Sequence, residues 1–166
     1  MFNDKYCLTQ AVLNGTKTMT RRALKDNVPL GNWEETIKHL PYKVGEVVAI
    51  AQSYNDIGKP QYDKFGKGVA GNSNKMFVRA DLLPHHIRIT DVKVERIQSI
   101  SDDDIMREGV WQMGELFYVS KAVGEAPEVV FLTAREAFWY LIDSISGKGT
   151  WESNPWVVAY SFELVD

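Results

Sequence analysis

The sequence predicts an α+β domain of about six strands and three or four helices, with the strands curled into an open sheet or small barrel. Three observations carry this. Residues 85–100, "HHIRITDVKVERIQSI", alternate Ile87 and Ile89, then Val92 and Val94, with polar neighbours, which is the period of a half-buried strand. Residues 133–145, "TAREAFWYLIDSI", set Ala134, Phe138, Leu141, Ile142 and Ile145 on one helical face. A chain of 166 residues with 45% hydrophobic content can bury the core of one domain and is cramped for two.

The elements follow in order. "KYCLTQAVL" (5–13) reads as a short helix stopped by Gly15, and Thr16, Thr18 and Thr20 alternate with Lys17, Met19 and Arg21 in an extended stretch after it. "WEETIKHL" forms a helical turn closed by Pro41, and "VGEVVAIAQSY" (44–54) a turn and a buried strand. Residues 55–75 form a long flexible loop rich in glycine and lysine, and "KMFVRADL" after it reads as a strand. In 85–100 the alternation slips near Thr90 and Asp91, the mark of a bulge. "SDDDIMREG" is a short helix with Ser101 as its cap, Asp104 three residues on and Gly109 at its end. Two short strands near 116–120 and 128–132 precede the helix capped by Thr133, and "PWVVAYSFELV" is the last strand.

Charge and composition exclude several functions. A net charge of -3 and a pI near 5.6 leave no broad basic surface, so duplex DNA is not an expected partner. The single Cys7 forms no internal disulfide, the opening "MFNDKYCLTQ" lacks the pattern of a secretory signal, and a cytoplasmic location is expected. No apolar run approaches the roughly 20 residues that span a bilayer, so no membrane partner is expected. Cys7, His39, His85 and His86 make no zinc spacing, and no metal is expected. "GKGVAG" (66–71) fits a dinucleotide fingerprint in letters only, because a strand follows it where a helix is needed.

Three blocks, in order, resemble one family. "NGTKTMTRR" fits the Gly-x-Lys-x-x-Thr-x-Arg pattern of ASCH domains, members of the PUA-like group of β-barrels, through Gly15, Lys17, Thr20 and Arg22. "KVERIQSISDDDIMREGV" is similar to that family's strand running into an acidic helix that ends in Glu-Gly, and "SGKGTWESNPWVVAYSFELV" to its closing Trp-x-x-Asn-Pro-Trp strand. The blocks cover most of the chain outside 55–75 and 110–130. The resemblance implies a single PUA-like domain over 1–166. In many relatives the strand after "VGE" ends in Arg-Glu, a small residue and an aromatic. Here "AQSY" stands instead, with Gln52 left to keep a hydrogen-bonding role.

The resemblance also implies chemistry. Some small bacterial ASCH proteins are amidohydrolases that deacetylate N4-acetylcytidine with a Lys, Thr and Glu set, which falls here on Lys17, Thr20 and Glu108, with no metal or organic cofactor. A threonine hydroxyl needs a base, and an amine is one only when neutral. Half neutrality near physiological pH needs a fall of roughly 3 units from 10.4, about 4 kcal/mol. Burial and the neighbouring Arg21 and Arg22 push that way. Glu108, at the C-terminal end of the short helix, meets a dipole that disfavours its charge and suits it to giving a proton to a departing amine. Asp102, Asp103 and Asp104 at the other end read as a complement to the dipole.

In a regular strand Lys17 and Thr20 point to opposite faces, so a shared site requires a bend. Taken alone, without the other motifs, the stretch reads as an exposed strand of threonines and snorkelling cations. The expected partner is RNA or a modified nucleoside of the cytidine type, held by Arg22, Gln52, Trp151, Asn154 and Trp156. The tryptophans offer stacking faces and Asn154 a base-reading amide, although core packing and a rigid turn before Pro155 explain these residues too. The alternative is a non-catalytic reader with a basic cleft and stacking tryptophans. The lysines of 55–75 either attract phosphate or belong to a solvated linker.

Overall fold

The computed structural model describes residues 1–121 and 125–166. The class is α+β, and the described residues hold seven strands and five α-helices. A curled, half-barrel sheet carries β1 (Met19–Ala23), β7 (Trp156–Leu164), β3 (His86–Arg96) and β2 (Val47–Ala49) in that order, with every pairing antiparallel. A smaller sheet joins β4 (Trp111–Met113), β5 (Leu116–Tyr118) and β6 (Val130–Phe131). The remaining elements are α1 (Leu8–Leu13), α2 (Trp33–His39), α3 (Asp102–Arg107), α4 (Ala134–Ser146) and α5 (Thr150–Ser153).

β7 lies between β1 and β3, and its residues 157–162 are buried on both faces, which accounts for their nearly continuous apolar run. β3 shifts register between Ile89 and Asp91, at the slip legible in its sequence. α4 begins with a full capping box: Thr133 Oγ1 accepts from the Glu136 amide at 3.2 Å, and Glu136 Oε2 accepts from the Thr133 amide at 3.1 Å. Its Ala134, Ala137, Phe138, Leu141 and Ile142 are buried in the main core.

One expectation is corrected. "KMFVRADL" is not a strand but two 3-10 turns, Lys75–Phe77 and Ala80–Leu82. Asn74 caps the first by accepting from the Met76 amide, and Met76 and Phe77 stay exposed with no sheet to bury them. The 55–75 loop contains hydrogen bonds of its own. Asn72 exchanges two hydrogen bonds with the Gln61 backbone, at 2.7 and 2.8 Å, and Gly71 packs so tightly on Tyr54 that a Cβ there would stand 2.6 Å from its ring. The helical turn α5 and strand β4 escaped sequence reading because three or four residues carry no period.

Candidate functional site

The opening motif is shaped by its backbone. Gly15 leaves α1 at φ +73°, and the amides of Thr16 and Lys17 both donate to the Ala11 carbonyl, turning the chain toward β1. Lys17 therefore precedes the regular strand. Its side chain bends so that Nζ donates to the Met19 carbonyl at 2.7 Å, which supplies the bend that a shared site requires. Lys17, Met19 and Arg21 are buried, Thr18 and Thr20 half-buried, and Arg22 exposed.

α3 is stitched to this stretch. The Thr18 amide donates to the Arg107 carbonyl at 3.0 Å, Arg107 Nε donates to Thr18 Oγ1 at 3.0 Å, and Lys17 Nζ donates to the Glu108 carbonyl at 2.6 Å. Glu108 follows α3 directly, so its carboxylate turns back over the strand. Oε2 accepts from Lys17 Nζ at 2.9 Å and Oε1 from Arg21 Nη1 at 2.9 Å. Both Lys17 and Glu108 are buried, at 2% and 4% exposure.

Arg21 extends the network. Nη2 donates to Glu95 Oε1 at 2.6 Å and to Asp104 Oδ2 at 3.1 Å, and Nε to Glu95 Oε1 at 3.0 Å. Lys93 Nζ closes it on Asp104 Oδ2 at 2.7 Å. Sheet register makes room for this. Arg21 stands opposite Ala159, which stands opposite Lys93, so the smallest side chain available lies between the two long cations. Asp104 is therefore more than a dipole complement. It bonds two buried or half-buried cations across the sheet and a third, Arg107, within its own helix.

The charges respond to these surroundings. Burial pushes the Lys17 amine below its ordinary 10.5 with help from Arg22 and Arg21, and Glu108 opposes that fall without cancelling it. Burial also opposes the Arg21 charge, but Glu108 and Glu95 outweigh it and hold the guanidinium above its usual value. Asp104 is held below the usual carboxylate value because its bonds to Lys93 and Arg21 outweigh desolvation. Glu108 is not the isolated acid of a helix end that its sequence position suggests, since both of its oxygens are held by cations.

Lys17, Thr20, Arg21, Arg22 and Glu108 line one cavity of about 210 Å³, roofed by Leu141, Ile142 and Ile145 of α4 and edged by Asn3. A second lobe of about 280 Å³ shares Met1, Phe2, Thr20 and Arg22 with the first and continues over Tyr42, Val48, Ile87, Ile89 and Tyr160. Arg22 Nη2 donates to the Met1 carbonyl at 2.8 Å on the ridge between them. Three of the expected groups, Lys17, Thr20 and Glu108, are thus brought together with Arg22. Thr20 Oγ1 makes no hydrogen bond to Lys17 Nζ, whose three acceptors are two carbonyls and the Glu108 carboxylate.

The other expected ligand-binding residues lie outside both lobes. Trp151 is 7% exposed, meets Phe138 edge-on at 6.1 Å and stacks on Trp139 at 6.5 Å. Asp143 fixes it there by accepting from its amide at 2.9 Å. Trp156 carries the Arg96 guanidinium 4.6 Å above its ring. Asn154 adopts a left-handed turn, with φ 45°, and its Oδ1 accepts from the Gln98 amide, which is the turn-making role. Gln52 has a buried Oε1 without a partner but lines neither lobe. Sequence reading missed Asn3, Glu95, Asp104, Tyr42 and Tyr160. Only the burial of Arg21, implied by its parity with Lys17, pointed toward matching acids.

No family model matches the chain, and no curated protein matches it. Among the solved structures similar to it are two from bacteria. A DUF984 protein from Enterococcus faecalis V583 shares 16% identity over 96% of this chain and 67% of its own, with a TM-score of 0.45. An ASCH domain from Lactobacillus crispatus JV V101 shares 13% identity over 99% of this chain and 76% of its own, with a TM-score of 0.43.

Proposed function

We propose that the chain is an ASCH-type domain that binds a modified nucleoside in the two-lobed cleft and hydrolyses an acylated cytosine amide there. The observation that carries this reading is the buried amine of Lys17, 2.9 Å from the Glu108 carboxylate, in a cavity that Thr20 also lines. Burial, which lowers the pKa of this amine, favours the neutral form that can accept a proton.

The reaction runs in two stages. The Thr20 hydroxyl adds to the acyl carbonyl while its proton passes to Lys17 in its neutral form, which has lost one proton and with it one of the three hydrogen bonds that Nζ donates, and the C–N bond breaks as the proton taken from Thr20 reaches the departing exocyclic amine. Water then cleaves the threonine ester and releases acetate. Arg21, fixed by three carboxylates, holds Glu108 in place, and Arg22 offers positive charge at the ridge. The competing reading, a non-catalytic reader that stacks a base on tryptophans, has less support because Trp151 is in the core and Trp156 lies under Arg96.

The test is incubation with N4-acetylcytidine and measurement of released acetate. Turnover that disappears in Thr20→Ala and Lys17→Met sustains the proposal. Absence of turnover in the wild-type protein, or turnover unchanged in both variants, ends it.

A further inference from the structure

We propose that the second lobe is a subsite for a flat, uncharged pyrimidine-type ring, and that the Tyr160 hydroxyl reads the polar edge of that ring. Tyr160 is 1% exposed, and its hydroxyl is buried without a hydrogen-bond partner among the described residues. Burial holds this phenol above its ordinary 10.0, and the nearby Tyr42 backbone amide tempers that without making a bond of normal geometry. The hydroxyl is therefore a neutral group able both to donate and to accept, whereas nearly all such buried groups among the described residues have partners.

The walls suit a ring. Val48, Ile87 and Ile89 give an apolar floor from two paired strands. Tyr42 meets Tyr160 edge-on, with centroids 5.6 Å apart at 76°, and stands at the lip with 36% exposure. That leaves aromatic surface for an incoming π-system. Arg22 and Met1 with its α-amine are shared with the first lobe, and the residues particular to this lobe, Tyr42, Val48, Ala49, Ile87, Ile89 and Tyr160, carry no charge.

Size and continuity indicate one ligand across both lobes. Lobes of about 210 and 280 Å³ each fall short of the roughly 300–1,000 Å³ of small-molecule sites, and joined they fall within it. Each lobe is also lined by a residue with an unpartnered buried polar atom, Asn3 with its Oδ1 for the first and Tyr160 with its hydroxyl for the second. A ring in the second lobe places a substituent at Thr20, one of the four residues common to both. The identification of the ring as cytosine rests on the proposed function. The ring subsite does not.

The test uses the full chain and two probes, cytidine and N4-acetylcytidine, titrated by calorimetry against wild type, Tyr160→Phe and Ala49→Phe. Tyr160→Phe keeps the ring and removes only the hydroxyl, and is expected to weaken cytidine about tenfold while thermal stability is unchanged or raised. Ala49→Phe fills the second lobe without touching Lys17 or Glu108 and is expected to abolish binding. Cytidine binding that depends on both residues sustains the subsite even where no acetate is released, so the hydrolase reading can fail alone. Acetate release with KM unchanged in both variants overturns the subsite and leaves the hydrolase standing. No saturable binding of either probe at millimolar concentration also overturns it.

Discussion

Lys17 Nζ and Glu108 Oε2 lie 2.9 Å apart across 91 residues of chain, and both side chains are nearly closed to solvent. Such a pair is a weak source of net stability but is strongly destabilising to break, because the survivor stays charged and buried. Glu108→Gln is expected to lower the unfolding free energy by about 3–5 kcal/mol in urea titrations, since it strands both Lys17 and Arg21. The double variant Lys17→Met/Glu108→Gln is expected to lose less than the sum of the single variants, the sign of direct coupling.

Acid titration tests the outer half of the network. Asp104 has a folded pKa depressed below 3.8 by Lys93 and Arg21. A carboxylate depressed in the folded state contributes stability that is present above its unfolded value and lost as pH falls through the folded one. The stability difference between wild type and Asp104→Asn is therefore expected to be constant near neutrality and to shrink below pH 3.8. Urea midpoints measured from pH 7 to pH 2 check this. A difference that persists unchanged in acid assigns the effect of Asp104 to packing instead.

How much of this was legible in the sequence follows from the range of each interaction. β3 with its bulge, α3 with its Ser101 cap and α4 with its capping box all rest on residues within a few positions of one another, and the sequence displays them. The convergence of Lys17, Thr20 and Glu108 came from a family resemblance, because periodicity alone sends Lys17 and Thr20 to opposite faces. The acids around Arg21 were illegible. Glu95 and Asp104 reach it only because β1 and β3 flank β7 and because Ala159 leaves space between them, a fact of register and not of local pattern. The tryptophans misled for a related reason. A large aromatic reads alike in a core or in a cleft, and only the Asp143 anchor places Trp151 in the core.

Activity, where it is found, carries the signature of its base. Lys17 acts as a base only when neutral, and burial holds its folded pKa below 10.5. The pH profile of acetate release per unit KM is therefore expected to rise with pH and level off at a midpoint below 10.5. Lys17→Arg keeps the charge and removes the titration, so its residual rate is expected to be flat over the same range.

Thr133→Ala removes one half of the capping box and leaves an α4 amide without its side-chain acceptor. A loss of about 1 kcal/mol is expected from thermal melts. Because α4 also supplies Leu141, Ile142 and Ile145 to the cleft, ligand binding is expected to weaken only as far as that helix frays.

Gly109 shapes the turn behind the site. Gly109, directly after Glu108, has φ +105°, a region that L-residues rarely adopt. A Cβ at this position would stand 2.7 Å from Leu8 Cδ2 and 3.7 Å from Lys17 Cδ, and Leu8 is itself a core residue at 4% exposure. Gly109→Ala therefore combines backbone strain with overpacking against the side chain that backs Lys17. A loss on the order of 3 kcal/mol is expected. Gly114 supplies the control, because its φ is +61° and nothing lies within 4 Å of its Cβ position. Gly114→Ala carries strain alone and is expected to lose about 1 kcal/mol. The difference between the two variants in urea unfolding isolates the packing of Leu8 against the turn that sets Glu108. Equal losses would show that this contact yields freely and that the buried ion pair is positioned by its own hydrogen bonds.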